Sequence, residues 1–549
     1  MFYDHFELKK VNNVGIFNNK KLKVFFCFTK RKFCSIIYVS IILFEGGVLM
    51  NYNSTRSRDF ECTSSYAIKT GLAPDGGLFV PNDFPVISIH EIDKMKNCTY
   101  VQRAENIIGK YLTDFSAEEI AECVNAAYNK EKFGSESITP VYKLNNNVYF
   151  LELWHGVTCA FKDVALQILP HFLTKAVKKT NDDRTVVILV ATSGDTGKAA
   201  LEGFKDVEGT KIAVFYPNDG VSDIQRLQMI TQDGTNVSVG GILGNFDDAQ
   251  SGVKKIFTDD EFKKYLDEKG YMLSSANSIN WGRLLPQIVY YFSSYCDMLK
   301  AGEIDLGDKV NFVVPTGNFG DILAGYYANK MGLPVNKLIC ASNENNVLTD
   351  FIRTGVYNKN RDFRVTASPS MDILISSNLE RFLYDIADNN CATVKGYMDA
   401  LATEGSYEVS DCMKEKISQI LWGGCCDDGD TLLTIKDTFE NYGYIMDTHT
   451  AVGKNVYDQY LFETGDMTKS VILSTASPYK FNNSVLTALE GENVLEGKTE
   501  FELLDCLHEK TSLDIPKSLD DLRTKEPRFT DSVEKDKLKD FVCNKLLGI

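Results

Sequence analysis

Lys162 is the residue in this chain whose surroundings most directly suggest chemistry. The apolar run Val148 to Leu151 leads toward it as a short buried strand, and small residues then make a turn. An amphipathic pattern from Asp163 to about Lys179 predicts a helix. Lys162 therefore sits where a strand hands over to a helix, between Phe161 and apolar helix residues. A lysine so placed either snorkels to solvent or is held out of water. Held out of water, its amine gives up a proton more easily and becomes a nucleophile, as Schiff-base chemistry requires.

Two other stretches share one design, a buried strand opening into a glycine-bearing turn before a helix. Thr185 to Ala191 is followed by Thr192, Ser193, Gly194, Asp195, Thr196 and Gly197. Its glycines relax the backbone, while hydroxyls and free helix N-terminal N–H groups face whatever lies above. An anion site fits this pattern, and so does an ordinary turn with Thr196 as helix N-cap. Val310 to Pro315 is followed by Thr316, Gly317, Asn318, Phe319, Gly320 and Asp321, with a helix predicted from Ile322 to Met331. Glycines before a helix start let backbone N–H groups approach a phosphate closely. No Gly-Lys-Ser/Thr follows, and the spacing is not that of the dinucleotide fingerprint, which disfavours a nucleotide-binding fold. A nucleophilic lysine, a hydroxyl-rich turn and a phosphate cradle together suit pyridoxal 5'-phosphate.

The elements that must position these groups follow a regular rhythm. Strands are predicted at 148–154, 185–191, 211–216 and 236–242, with helices at 163–179, 197–205, 222–233 and 246–258. Such alternation implies a parallel sheet covered on both faces, an α/β fold. Ligands in that architecture gather at the carboxyl ends of strands, where Lys162 and both glycine-rich turns fall. A helix over 281–300 is buried by its pattern, and its tyrosines 290, 291 and 295 read as core.

Residues 50–147 read as a small N-terminal domain and 148–343 as the α/β core. Residues 344–430 are polar and helix-leaning, an inserted subdomain with a linker at 423–429. Residues 431–549 return to the core through a strand at 470–475 and end in helices. Residues 1–49 differ from the rest: they hold eight basic and three acidic residues, against 51 and 72 in the remainder. Their status is doubtful: a misassigned start or a disordered extension on one side, a targeting or anchoring segment on the other. Their apolar run from Cys34 to Phe44 is too short to span a bilayer.

At 549 residues the chain has room for two or three domains, and a formal net charge of −16 argues against nucleic-acid binding. Its 14 cysteines are scattered rather than grouped as metal ligands, so no metal is expected and reduced thiols in a cytoplasmic enzyme are the economical reading.

Six segments, in order, resemble threonine synthases of the long bacterial and fungal type: Gly71 to Pro81, Leu153 to Gln167, Ala191 to Gly197, Asn277 to Arg283, Gly317 to Asp321 and Ser370 to Asn378. The resemblance runs from about Met50 to the C-terminus. It implies a fold-type II pyridoxal-phosphate enzyme, similar to the tryptophan synthase β chain, acting on O-phospho-L-homoserine to give L-threonine and phosphate. It implies no nucleic acid, no membrane, and a monomer or homodimer. Lys162 would carry the cofactor and move protons at the substrate's carbons. Gly317, Asn318, Phe319, Gly320 and Asp321 would hold the cofactor phosphate or its flank, and the Thr475 hydroxyl would face the pyridine nitrogen. Ser193, Asp195 and Thr196 would meet the substrate carboxylate or the cofactor's phenolic oxygen, Asp195 less certainly because an ionised carboxylate cannot donate. Asn277, Ser278 and Arg283 would take the substrate's own phosphate, a guanidinium suiting that geometry. His155 reads as a packed neighbour; His449 matches a family segment that opens a helix, with a place lining the site as the lesser reading. One departure stands out, a serine at 477 where the family pattern has histidine. The rival readings are a phospho-lyase of the same family releasing a keto acid, and a cofactor-free homologue acting by binding; an intact Lys162 speaks against the latter.

Overall fold

Two largely parallel sheets carry the strand ends on which the chemistry-bearing turns sit. The computed structural model describes residues 49–549 apart from Ser193, 219–220 and Asn245, and apart from the side chains of 246–247. Before Leu49 it describes only the backbone of four strands, Leu8–Val11, Val14–Asn19, Leu22–Phe28 and Ile37–Ile41, which pair antiparallel in that order. Met1–Leu49 and Met50–Ile549 are separate compact units. The readings of residues 1–49 as a misassigned start, a disordered extension or a targeting segment fall largely on residues outside those described.

The six-stranded sheet runs Leu421–Cys425, Val335–Ser342, Val310–Pro315, Ser470–Ser474, Val148–Glu152 and Val141–Lys143; all neighbours are parallel except the last pair. The five-stranded sheet runs Tyr271–Ser274, Thr185–Ala191, Thr210–Pro217, Val237–Leu243 and Ser532–Glu534, all parallel. Both faces of each sheet are covered, and the period of two in a strand divides its side chains between cores. Val186, Ile188 and Val190 join the large central cluster, while Val187 and Leu189 join the cluster on the opposite face. In the other sheet Phe312, Val314, Val471 and Leu473 face the central cluster, and Val313 and Ile472 the third. The helix Trp281–Lys300, apolar around most of its surface, lies in the central cluster with Leu284, Leu285, Ile288, Val289 and Phe292 fully buried.

The helix predicted over 163–179 is two helices, Lys162–Leu166 and Leu169–Lys179. Pro170 is the reason. It has no N–H to offer Leu166, four residues back, so the first helix ends and the second begins around it. The carbonyl of Leu166 is then met by the backbone of the helix Asp195–Phe204, where a Cβ on Gly203 would come within 2.1 Å of that oxygen. The helix that starts with Lys162 and the helix that starts with Asp195 thus touch backbone to backbone.

Capping boxes open the N-terminal helices Tyr100–Tyr111 (Thr99, Gln102) and Ala117–Ala127 (Ser116, Glu119), as their sequence pattern favours. The linker expected at 423–429 is a correction: Leu421–Cys425 is a strand of the six-stranded sheet. Gly423 and Gly424 serve close packing there, since a Cβ would meet Thr349 Cα at 3.2 Å and Trp422 at 2.8 Å. Among the described residues no helix is long and apolar enough to cross a membrane.

Gly203→Ala is expected to destabilise the fold by about 1–3 kcal/mol through overpacking against the Leu166 carbonyl. Urea unfolding of the variant beside the parent chain measures this; equal midpoints would contradict the contact.

Candidate active site

Lys162 begins its helix without a side-chain cap, and the backbone N–H of Phe161 before it donates to the Thr475 carbonyl at 2.8 Å. The end of strand Ser470–Ser474 is thereby pinned beside the lysine. Lys162 is buried, with Nζ 3.3 Å from Ser370 Oγ, 3.5 Å from Asp195 Oδ2 and 4.8 Å from the Phe161 ring centre. Burial lowers its pKa. Asp195 pulls the other way, and the positive charges of Lys480 and Arg283 push it lower again, so it ends below the usual lysine value. This is the environment an amine nucleophile needs.

Asp195 stands in the first turn of its helix, after Gly194 at φ 136°. Thr192 rather than Thr196 caps this turn, its hydroxyl accepting from the N–H groups of Gly194 (3.0 Å) and Gly197 (2.9 Å). The carboxylate of Asp195 is buried and fully engaged. Lys480 Nζ lies 2.6 Å from Oδ1, Gln225 Nε2 donates to Oδ1 at 2.9 Å, and Ser370 Oγ donates to Oδ2 at 3.2 Å. Burial alone would raise its pKa, but the ammoniums of Lys480 and Lys162 overcome this and hold it far below the usual carboxylate range. Gln225 reaches Asp195 because it is the third residue of a capping box with Ser222, which fixes its side chain at the helix start. Beside Lys162, Asp163 accepts from the N–H and hydroxyl of Thr158 (2.8 and 2.7 Å), and burial pushes it up to about 6.

The second glycine turn enters its helix through Phe319, which has a positive φ of 63°. A Cβ at Gly317 would meet the Ser370 carbonyl at 3.0 Å. One at Gly320 would lie 3.4 Å from Asn378 Nδ2 and 3.6 Å from Ser278 Cβ. The turn is therefore a cradle with donors on its rim. Arg381, itself buried, donates to Asn378 Oδ1 at 2.5 Å, while Asn378 Nδ2 is buried and has no partner. Asn318 is exposed, and its carbonyl accepts from the Asn378 N–H at 3.1 Å. Asp321 turns inward: Tyr290 and Tyr291 donate to its Oδ1 at 2.5 and 2.9 Å, and its Oδ2 has no partner. Burial pushes Asp321 up to about 6 against the pull of both tyrosines and the Lys162 charge.

Arg283 is buried in the first turn of helix Trp281–Lys300, donating to the Ala276 carbonyl at 2.8 Å. No carboxylate pairs with it among the described residues, and burial brings it down to about 10. A buried guanidinium without a counter-ion calls for an anion. Asn277 is exposed and Ser278 half-buried at the same helix entrance. Thr196 is half-buried, and Ser193 lies outside the described residues. The Thr475 hydroxyl has no hydrogen-bond partner among the described residues, although its backbone N–H donates to Thr450 Oγ1 at 3.3 Å. His155 stacks on Trp154 and bonds Glu152 at 2.8 Å, away from Lys162. His449 bonds Asp447 through Nδ1 at 2.8 Å, and its Nε2 accepts from the Ser370 N–H at 3.1 Å, which assigns the neutral ring with its proton on Nδ1.

The structure thus links Lys162, Asp195 and Ser370 by direct contact, sets Thr475 beside the Lys162 segment, Gly317 beside Ser370 and Gly320 beside Ser278, and adds Lys480, Ser370, Gln225 and Asn378, which sequence reasoning did not single out. Ser370 and Asn378 had a signal, as both ends of a recognised segment without an assigned role. The capping pattern Ser222 to Gln225 was another. Lys480 had none beyond lying five residues past Thr475. A buried amine, a glycine cradle with an orphaned amide and a free neutral hydroxyl fit a phosphate-bearing aromatic aldehyde.

Three families match the chain: Threonine synthase N terminus over residues 51–128, Pyridoxal-phosphate dependent enzyme over 133–410, and Threonine synthase, C-terminal, over 450–542. The human protein Threonine synthase-like 1 is 42% identical over 443 residues, covering 79% of this chain and 58% of the relative's length. The chain thus spans little more than half of that relative. Threonine synthase of Schizosaccharomyces pombe is 38% identical over 80% of this chain and 89% of its own. The crystal structure of PLP-bound threonine synthase from Brucella melitensis superposes with a TM-score of 0.80 at 34% identity, covering 90% of this chain and 99% of that one.

The raised Asp321 carries a prediction with a definite sign. Between its usual pKa and about 6 the folded chain binds a proton that the unfolded chain does not. Stability from this group therefore falls as pH rises through that window. Asp321→Asn keeps an acceptor for the tyrosines but cannot ionise. Without added cofactor, it should gain stability relative to the parent on going from pH 4 to pH 7.5, by as much as about 3 kcal/mol. Urea unfolding at the two pH values measures it, and a pH-independent difference would contradict the burial of an ionising Asp321.

Proposed function

Because the chain belongs to the threonine synthase family of pyridoxal-phosphate dependent enzymes, we propose that it binds pyridoxal 5'-phosphate on Lys162 and converts O-phospho-L-homoserine and water to L-threonine and phosphate. The observation that carries the substrate is Arg283, a buried guanidinium without a carboxylate partner whose charge reaches Lys162. A second phosphate, on the substrate, gives it a counter-ion, with Ser278 and Asn277 beside it. Bound pyridoxal phosphate supplies an electron sink for negative charge developing next to the substrate nitrogen.

The chain's own residues do the rest. The turn from Gly317 to Gly320, with the orphaned amide of Asn378, holds the cofactor phosphate at a helix start. Asp321 flanks that turn from within. The neutral hydroxyl of Thr475 would face the cofactor's ring nitrogen without forcing a proton onto it. Lys162 takes and returns protons at the substrate's α and β carbons. Thr196 offers its hydroxyl to the substrate carboxylate. Asp195 is ionised and ringed by donors, so it repels a carboxylate rather than binding one. Loss of phosphate from the γ carbon and addition of water at the β carbon complete the reaction.

A second reading, release of a keto acid after phosphate loss, is left open by the 42% identity to a protein named Threonine synthase-like 1. Product analysis decides between them. Incubation with O-phospho-L-homoserine is expected to yield threonine and phosphate in equal amounts; keto acid with phosphate and no threonine would establish the second reading, and no phosphate at all would refute both.

Arg283→Gln is expected to weaken substrate binding by about 2–5 kcal/mol while leaving cofactor absorbance and occupancy intact. An unchanged KM, or loss of cofactor, would remove Arg283 from the substrate phosphate.

A further inference from the structure

Lys480 is a second fully buried lysine within the same cluster, and the reaction as described gives it no task. It follows strand Ser470–Ser474 and Thr475 in the short helix Pro478–Phe481. Its ammonium has two partners, Asp195 Oδ1 at 2.6 Å and the Thr158 carbonyl at 3.0 Å. Asp195 is thus placed between two lysines, one oxygen toward each, but the contacts are unequal: 2.6 Å to Lys480 against 3.5 Å to Lys162. The charged and titratable groups within electrostatic reach of the two lysines are Asp195, Arg283, Asp321, Asp163 and Cys159. Of these only Asp195 bonds Lys162.

A buried carboxylate facing a lone amine would hold that amine as an ammonium, which is not a nucleophile. With a second ammonium at close range, the carboxylate's charge is already matched and its hold on Lys162 is weakened. We propose that Lys480 is a positioning residue that takes Asp195 out of competition for Lys162, leaving the Lys162 amine free to capture the cofactor's aldehyde. In that capture a bond forms between Nζ and the aldehyde carbon, and the carbon–oxygen bond breaks. The oxygen departs as water with the two hydrogens of the amine. The inference rests on the reading of Lys162 as the cofactor lysine.

The test is covalent capture of added pyridoxal phosphate by the full-length chain, trapped with borohydride across a pH series and located by peptide mapping. In Lys480→Met the pH midpoint of capture should move up by a unit or more, slowing capture at neutral pH by about tenfold. Lys480→Arg, which keeps the charge, should follow the parent profile. Should Lys480→Met fail to fold, Asp195→Asn with Lys480→Met removes the ion pair as a unit and should also follow the parent profile. A shift of a unit in either direction in that double variant, or an unmoved midpoint in Lys480→Met, overturns the role given to Lys480. A label found on another lysine in the parent chain overturns the assignment of Lys162 itself, which separates the two failures.

Discussion

The arrangement of this protein depends on burying a single carboxylate, Asp195, among positive charges. Removing a charge from water costs several kcal/mol even after relaxation, and only close partners with fixed geometry offset that. Asp195 meets the requirement through four elements at once. The helix Lys162–Leu166 supplies Lys162 itself, a capping-box glutamine supplies an amide, the short helix after strand Ser470–Ser474 supplies Lys480, and the 366–378 segment supplies Ser370. None of these elements can shift without leaving a buried charge short of a partner. The rigidity that two parallel sheets and their shared core provide is what holds such a cluster in place beside Lys162.

The fold was largely readable from the sequence where the signal is local. The strands Thr185–Ala191 and Val310–Pro315 and the helix Trp281–Lys300 agree with their apolar patterns. The misses have identifiable causes. Pro170 broke a helix whose amphipathic pattern continues straight across it. Gly423 and Gly424 looked like a linker because glycine in a strand reports close packing only once the neighbours are known. Ser532–Glu534 is a three-residue edge strand, too short to show any period. The site divides the same way. Lys162 and the two glycine turns are visible because strand, turn and helix are contiguous in the chain. Ser370 meets Lys162 across 208 residues and Lys480 meets Thr158 across 322, and no sequence pattern records such meetings.

The region expected to be an insert therefore takes part in the site. Ser370, Ser376 and Asn378 all belong to a segment stretched across the second glycine turn. Ser376 Oγ donates to the Gly317 carbonyl at 2.8 Å, and the Asn378 N–H to the Asn318 carbonyl at 3.1 Å. The segment is tied down at its other end by polar contacts, Asn343 and Asn345 both donating to Asp372 Oδ1 at 2.7 and 3.0 Å. His449 contributes here without touching Lys162: its neutral ring accepts the Ser370 N–H and so sets where the Ser370 hydroxyl stands.

Ser477 gives the departure from the family pattern a physical meaning. It is fully buried, its N–H donates to the Cys159 carbonyl at 3.0 Å, and its hydroxyl caps the helix Pro478–Phe481 by accepting from the Tyr479 N–H at 3.4 Å. The first bond is a backbone bond that any residue but proline makes at this position. The second starts the helix that delivers Lys480 to Asp195, and serine is among the residues best suited to it. The change at 477 thus leaves intact the local structure on which the charge cluster depends. The imidazole that the resemblance implies at 477 is not what this structure sets near the cluster; the neutral imidazole there is His449, with its acceptor nitrogen directed at the segment that holds Ser370 against Lys162.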